Sequence, residues 1–258
     1  MIGMRTRYKL VLQLAASLLV VLSGLYINHF YGLFGIEALS PWIGIPLTVL
    51  AIMYIINAMN LIDGIDGLSS GISLIALFIY GILFLMRDEW YYAVLAFSSV
   101  GVLCVFFYYN VFGSIEKKRK LFMGDSGSMM LGLILSFLAI RYMYFSPGSI
   151  RQADYTLVIA LTPLIIPLLD VLRVMLLRLK MHKSIFSADC YHIHHKLLDA
   201  GLSKSKALVI LLVLTAGFCI INYSLMFFLN PLTLFIIDVA LWTAGNMYLS
   251  HLIHKKQP

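Results

Sequence analysis

Charged residues are scarce in this chain. Asp, Glu, Lys and Arg make up 12% of its 258 residues, whereas hydrophobic residues make up 61%. So few charges cannot cover the surface of a soluble domain, and the composition therefore indicates a polytopic membrane protein. The three cysteines lie far apart with no CxxC spacing, which supports neither a disulfide framework nor a zinc site.

Long apolar runs fill most of the chain. A spanning helix needs about 20 mostly apolar residues, and eight runs qualify. The first run is too long for a signal peptide and shows no small-residue cleavage site, so we interpret it as a span. Without an internal repeat or a second domain, the pattern predicts an all-α, polytopic transmembrane helical bundle, with residues 1–258 as a single integral-membrane domain. The predicted spans are 10–28, 42–59, 67–86, 91–109, 126–145, 155–177, 207–228 and 231–250.

Basic residues lie almost entirely on one side of this topology. Eight spans place both termini on the same side, and sixteen of the nineteen Lys and Arg residues lie nearest to it. The other side has only Arg87, Arg141 and Arg151. The positive-inside rule makes the basic side cytoplasmic. The net charge of +7 is thus a topology signal and does not indicate nucleic-acid binding.

Two carboxylates follow the second span, in "NAMNLIDGIDGLSSG" at 57–71. Asn60, Asp63 and Asp66 are spaced i, i+3, i+6, which places them on roughly one face of a helix or tight turn. The glycines between them allow close approach of a ligand. Helix capping explains Asp66 alone but not the whole array, which favours a binding site.

A third carboxylate opens the fifth span, in "KKRKLFMGDSGSMMLG" at 117–132. Backbone N–H groups at such a helix start suit an anion, and Asp125 could hold Mg²⁺, which prefers carboxylate and phosphate oxygens. The alternative is a topology signal followed by a helix cap. We favour that alternative for the lysine run and the metal site for Asp125.

Three histidines cluster in "HIHH", the stretch that holds His192, His194 and His195. They could bind zinc with Asp189, contact phosphates, or belong to an incidental exposed loop. Of these alternatives, we favour phosphate contact over metal binding. Together these groups imply metal-assisted phosphoryl transfer between a soluble nucleotide and a lipid at the cytoplasmic surface.

A transporter is the competing class, because Asp170, Arg173 and Asp238 lie within or near the ends of spans. Against it, no inverted repeat is present, and the polar cluster lies at one surface and not at the midplane.

The four stretches "NAMNLIDGIDGLSSG", "FMGDSGSMMLG", "PLLDVLRVMLLRL" and "HIHHKLLDAGLS" together resemble the polyprenyl-phosphate N-acetylhexosamine-1-phosphate transferases, in order and spacing, over nearly the whole chain. The resemblance implies transfer of a sugar-1-phosphate from a UDP-sugar, by default UDP-GlcNAc, to undecaprenyl phosphate, with release of UMP. It implies Mg²⁺, with Mn²⁺ as an alternative, in a multi-pass protein of the bacterial inner membrane, and it allows a homodimer. The implied catalytic residues are Lys9, Asp63, Asp66 and the metal ligand Asp125, and the substrate-binding residues are Asn60, Asn110, Asp189, His192, His194 and His195.

The resemblance is incomplete at two places. The "HIHH" form is similar to the branch that starts O-antigen, enterobacterial common antigen or teichoic acid chains, but Cys190 stands where that branch often has Arg. The family also has two or three further helices, about 11 in all, which end in an Asp-Asp pair just before the match to "RYKLVLQ". We therefore expect an N-terminally incomplete transferase domain, with an inactive fragment as the alternative.

Overall fold

The computed structural model describes residues 6–144, 150–183 and 191–256. These residues form ten α-helices joined by short loops and two 3₁₀ turns, and they contain no β-strand beyond one isolated bridge between His29 and Ala38. The predicted all-α class is confirmed. The helices are α1 (Thr6–Leu22), α2 (Pro41–Ile62), α3 (Leu68–Leu85), α4 (Trp90–Phe112), α5 (Gly124–Tyr144), α6 (Ile150–Leu161), α7 (Ile165–Lys180), α8 (Ile193–Asp199), α9 (Lys204–Leu225) and α10 (Pro231–Lys256).

Seven segments of the described chain are long and apolar enough to cross a membrane. They are α2, α3, α4, α5, the continuous stretch of α6 and α7, α9 and α10, and they correspond to seven of the eight predicted spans. The short interruptions "RDEW" at 87–90 and "NP" at 230–231 predict tight hairpins between their flanking spans. Both are confirmed, since α3 ends at Leu85 before Trp90 opens α4, and α9 ends at Leu225 before Pro231 opens α10.

The prediction of a helix over residues 10–28 is wrong at both ends. The helix α1 begins at Thr6, ends at Leu22 and has 17 residues, about 26 Å at 1.5 Å per residue. Gly24 follows with φ 87°, a conformation that favours glycine and turns the chain out of the helix. The apolar residues Leu25 and Ile27 are buried in the loop that follows. They continue the hydrophobic run in the sequence, but they are loop residues that pack into the hydrophobic core.

The predicted span 155–177 is a broken helix. A 3₁₀ turn at Thr162–Leu164 separates α6 from α7, and Pro163 at its centre cannot donate to the carbonyl one turn earlier. Because of this break, α7 runs as a separate segment along α2. Its middle turns carry Asp170 and Arg173, which contact His192 and Tyr191 just before α8.

The interior of the bundle is formed mainly by α2, α3, α5 and the α6–α7 stretch. Tyr80 and Phe84 of α3 are fully buried there, and α3 packs on α4 while α2 packs on α5. The helices α4, α9 and α10 are peripheral and present many exposed apolar side chains. This distribution suits a lipid environment, in which the outer surface is as apolar as the core.

Candidate active site

The carboxylates of the two Gly-rich motifs come together at one end of the bundle, where α1 begins, α2 ends and α5 begins. The Lys9 amine of α1 lies 2.7 Å from Oδ2 of Asp125 at the start of α5. The Asn60 amide of α2 donates to Oδ1 of Asp125 at 3.1 Å and to Oγ of Ser128 at 2.9 Å. Three predicted site residues, Lys9, Asn60 and Asp125, thus form one hydrogen-bonded group although each is at least 50 positions from the next.

The remaining two carboxylates lie in the turn between α2 and α3. Lys120 from the basic run pairs with Asp66 at 2.8 Å, so this lysine belongs to the site and is more than the topology signal that we favoured. Burial first, and then the charges of Asp66 and Asp125, raise the pKa of Asp63 from 3.8 to about 6. The site therefore concentrates negative charge on three neighbouring carboxylates, with Lys9 and Lys120 at its edges.

Asn110 has a structural position. Its side-chain oxygen accepts from the backbone N–H of Gly67 at 2.6 Å, and its amide donates to the carbonyl of Leu121 at 2.8 Å. Gly67 has φ 85° and begins α3 without space for a side chain. Asn110 is buried and joins the acidic turn to the loop before Asp125. Its side chain thus contacts protein groups on both sides.

The histidine segment is held by a buried carboxylate on α7. Oδ2 of Asp170 lies 2.8 Å from Nδ1 of His192, while its Oδ1 accepts from the backbone N–H of Ile193 at 3.0 Å and from Arg173 at 2.8 Å. Asp170 is fully buried, so its charge depends on these partners. The charged pair in "PLLDVLRVMLLR", which we considered as a transport feature, therefore fixes the start of α8.

His194 packs directly on the acidic turn. A Cβ atom built on Gly64 would lie 2.0 Å from Nε2 of His194, so only glycine leaves room for this ring. Burial first, and then the neighbouring His195 and His192, lower the pKa of His194 to about 4. The ring is neutral near pH 7, and neither nitrogen has a hydrogen-bond partner among the described residues. His194 is therefore a contact between α8 and the turn that carries Asp63 and Asp66.

His195 and Lys196 complete the segment. His195 is half-buried, with its ring 4.2 Å from that of His194, and it is the most accessible of the three histidines. Lys196 donates to the carbonyl of Asn246 at 3.1 Å and to Oγ of Ser250 at 2.8 Å, which ties α8 to α10. The predicted site residue Asp189, with Cys190, lies outside the described residues.

A divalent ion fits this site only if it shares its ligands with a substrate. Among the described residues, no group of three or more His, Cys, Asp or Glu side chains is arranged to hold a metal. Asp125 is part-exposed, and each of its oxygens keeps a lone pair beyond the bonds to Lys9 and Asn60. Mg²⁺ commonly uses one or two carboxylates together with substrate phosphates, so Asp125 suits it. The histidines form no metal-ligand group with other described residues either, which gives zinc no support there.

An apolar groove begins beside Lys9. It has a volume of about 670 Å³ and is lined by α1, α2 and α7, with Leu10 and Leu14 on one wall and Leu47 and Met175 on the others. Asn57 lines it as well, and its amide donates to Gln13 at 2.8 Å. A charged site at the end of the bundle thus adjoins a groove that can hold a hydrocarbon chain.

The fold and this site define an integral-membrane protein that presents clustered acids and cations beside a lipid-accessible groove. The family model described as glycosyl transferase family 4 matches residues 1–143. The chain belongs to this family. The matched region contains Lys9, Asn60, Asp63, Asp66 and Asp125.

Curated bacterial relatives support the same assignment. A probable undecaprenyl-phosphate N-acetylglucosaminyl 1-phosphate transferase of Bacillus subtilis is 33% identical over 80% of this chain and 56% of its own length. The undecaprenyl-phosphate alpha-N-acetylglucosaminyl 1-phosphate transferase of Yersinia pestis is 30% identical over 77% of this chain and 53% of its own length. The enzyme of the same name from Escherichia coli is 29% identical over 80% of this chain and 55% of its own length. The chain spans about half the length of the curated relatives that it matches.

Two contacts in the site were missed by sequence reasoning. The pairing of Lys120 with Asp66 and the packing of His194 on Gly64 both join residues far apart in the sequence. The only signal in the sequence was the presence of a basic run and of a glycine beside Asp63, and neither identifies its partner.

Proposed function

We propose that this chain carries the nucleotide-sugar site of a transferase that moves N-acetylhexosamine-1-phosphate from a UDP-sugar to undecaprenyl phosphate. The observation that carries the proposal is the position of Lys9, which contacts Asp125 and directly precedes Leu10, a residue that lines the apolar groove. A soluble diphosphate at the carboxylates and a lipid phosphate at the head of the groove would meet beside this lysine.

The reaction requires two anions to approach each other. A phosphate monoester has a second pKa of about 6 and is largely ionised near neutral pH, so the acceptor needs positioning more than deprotonation. Its oxygen forms a bond to the β-phosphorus of the donor while the bond from that phosphorus to the bridging oxygen breaks, and UMP leaves with the electron pair. Mg²⁺ bound with the donor at Asp125 would offset the charge that develops on the phosphates.

The remaining roles follow from charge and exposure. Lys9 and Lys120 are cations that can transfer from Asp125 and Asp66 to phosphate oxygens when the donor enters. His195, the accessible histidine, would contact the donor phosphates, while His192 and His194 hold α8 in place. Asp63 and Asp66 would bind the donor through the shared cation.

The donor, pathway and location follow from the family resemblance. We propose UDP-GlcNAc as the donor, the first membrane step of a cell-surface polysaccharide such as O-antigen, enterobacterial common antigen or teichoic acid as the pathway, and the bacterial inner membrane as the location. The active site would face the cytoplasm with both termini, since the basic residues gather on that side. The enzyme could assemble as a homodimer.

The test is release of UMP from UDP-GlcNAc by the purified chain with undecaprenyl phosphate in detergent, with and without Mg²⁺. Release that needs both lipid and metal supports the proposal. Uptake of a solute into proteoliposomes without UMP formation would instead establish a transporter. A chain that shows neither activity but still binds UDP-GlcNAc in the presence of Mg²⁺ would be a donor-binding fragment that requires a further segment.

A further inference from the structure

A second groove lies between α7 and α10, on the side of α7 away from α1 and α2. Its volume is about 560 Å³, and its wall is mainly apolar, with Leu169, Leu172 and Leu176 from α7 facing Val239 and Met247 from α10. The short helix α8 lies at one end of the groove. None of the residues assigned above to catalysis lines it.

The groove has the depth of one leaflet. The segment of α10 from Val239 to Ser250 lines it and rises about 16 Å at 1.5 Å per residue. The hydrocarbon core of a bilayer is about 30 Å thick, so this length corresponds to half of it. The polar residues Asn246, Ser250 and Lys196 gather at the α8 end, which is where a lipid headgroup would lie.

Two hydrogen-bond donors in the groove lack an acceptor among the described residues. They are Nε of Arg173 and Nε1 of Trp242, and both atoms are buried. Trp242 is only 7% exposed. Arg173 uses its NH2 group on Asp170 and on the carbonyl of Tyr191, which leaves Nε unused. A buried donor without an acceptor costs free energy in an apolar wall. A ligand that supplies acceptors to both donors would therefore be stabilised in the groove.

We propose that this groove binds a glycerophospholipid of the adjoining leaflet, with its phosphate at Arg173, an ester carbonyl at Trp242 and an acyl chain along the leucines. Phosphate and ester oxygens supply the acceptors that the two donors need, and only an amphiphile matches both the polar end and the apolar wall. The charged residues that line the groove are Arg173, Lys196 and Asp199. Arg173 and Lys196 are the cations among them, and they can attract the phosphate of the lipid.

The state of Lys196 supports this assignment. Burial first, and then the nearby Arg173, lower the pKa of Lys196 to about 8. Its amine is already bonded to α10, so it acts on a lipid phosphate through its charge. An anion placed between the two cations would relieve their repulsion and strengthen the attachment of α8 to α10.

The experiment uses the whole chain, purified in detergent and stripped of lipid. Palmitoyl-oleoyl-phosphatidylglycerol is added and counted by native mass spectrometry, and the melting temperature is measured in parallel. We expect one retained lipid per chain and a rise in melting temperature of several degrees. The diacylglycerol of the same chains, which lacks the phosphate, and inorganic phosphate alone should each fail to produce either effect.

Two neighbouring positions on α10 provide the matched variants. Thr243 lines the groove and Ala244 is exposed outside it, so Thr243→Trp should lower lipid retention at least tenfold while Ala244→Trp should not. Trp242→Phe keeps an aromatic ring at this position and removes the N–H, and should reduce retention several-fold if Thr243→Trp does not fold. Equal retention by Trp242→Phe and the unmodified chain, or retention of diacylglycerol, overturns the proposal. Displacement of the lipid by an equimolar polyprenyl phosphate would assign the groove to the acceptor and would also overturn it.

Discussion

The packing of His194 on Gly64 makes Gly64→Ala an informative substitution. The added Cβ would lie 2.0 Å from Nε2 of the ring, 2.5 Å from Cε1 and 2.7 Å from Cδ2, whereas ordinary contacts begin near 3.4 Å. The ring must therefore move by more than an ångström. It has little freedom to do so, because Asp170 holds His192 and Ile193 on one side and α10 holds Lys196 on the other.

The expected cost follows from overpacking. Inserting a methyl group where the surroundings cannot yield costs about 1–3 kcal/mol, and in a chain of this size each kcal/mol lowers the melting temperature by about 2–4 °C. We therefore expect Gly64→Ala to melt several degrees lower. It should also impair donor use, because any movement of α8 shifts His195, for which a donor contact is proposed above.

The assay is thermal unfolding of purified protein in detergent, arranged as a double-mutant cycle with His194→Ala. Removing the ring relieves the clash, so Gly64→Ala should cost about 1–3 kcal/mol less in the His194→Ala background. Gly101→Ala is the matched control, because Gly101 lies within α4 with nothing within 4 Å of the added Cβ. That control should be neutral or slightly stabilising. A cycle with no coupling, or a Gly64→Ala protein as stable as the control, would refute the contact.

Three further changes test the charged groups. Asp63→Asn should stabilise the metal-free chain by about 1–2 kcal/mol at pH 7.5 and not at pH 4, a figure that discounts the full pKa shift for partial exposure. The raised pKa of about 6 means that Asp63 favours folding when it is protonated, and that this stability is lost as pH rises through 6. Equal melting shifts at both pH values would contradict this prediction. Asp125→Asn should abolish Mg²⁺-dependent UMP release from an active form and leave the fold intact, whereas Asp88→Asn, an exposed residue between α3 and α4, should not; near-normal turnover removes Asp125 from the site. His195→Ala should raise the KM for the donor far more than it lowers stability, with the exposed His251→Ala as control, and a large melting shift with unchanged kinetics would make the histidine structural.

The helices could be predicted from the sequence because their signal is local. Apolar runs long enough to span a bilayer gave seven segments within a few residues of their bounds, and short polar interruptions gave both hairpins. The failure at 10–28 has a physical reason. Hydrophobicity reports burial and not backbone conformation, so Leu25 and Ile27 extended the apparent helix although Gly24 had already ended it.

The candidate site could be predicted only as a set of residues at one surface. Motif spacing and topology brought Asn60 and Asp125 to the same end of the bundle, and their hydrogen bond agrees with that prediction. The ion-pair partners of the carboxylates could not be predicted, because a run of charged residues does not show which of its side chains turns inward. Lys120 pairs with Asp66, while Lys117 and Lys118, its neighbours in the same run, are exposed.

The three histidines show most clearly why residue type alone does not assign a role. Their sequence spacing suggested one function for all three, yet each meets a different environment. His192 faces a buried carboxylate, His194 is a neutral ring on a glycine, and His195 remains accessible. The first two hold α8 against α7 and the acidic turn, and the third lies half-buried against the ring of His194. Catalysis gains from such fixed placement, since misplacing a contact by an ångström can cost about two powers of ten in rate. If His195 contacts the donor as proposed, the other two histidines act as its supports, and a substitution at either support should change the reaction through the position of His195.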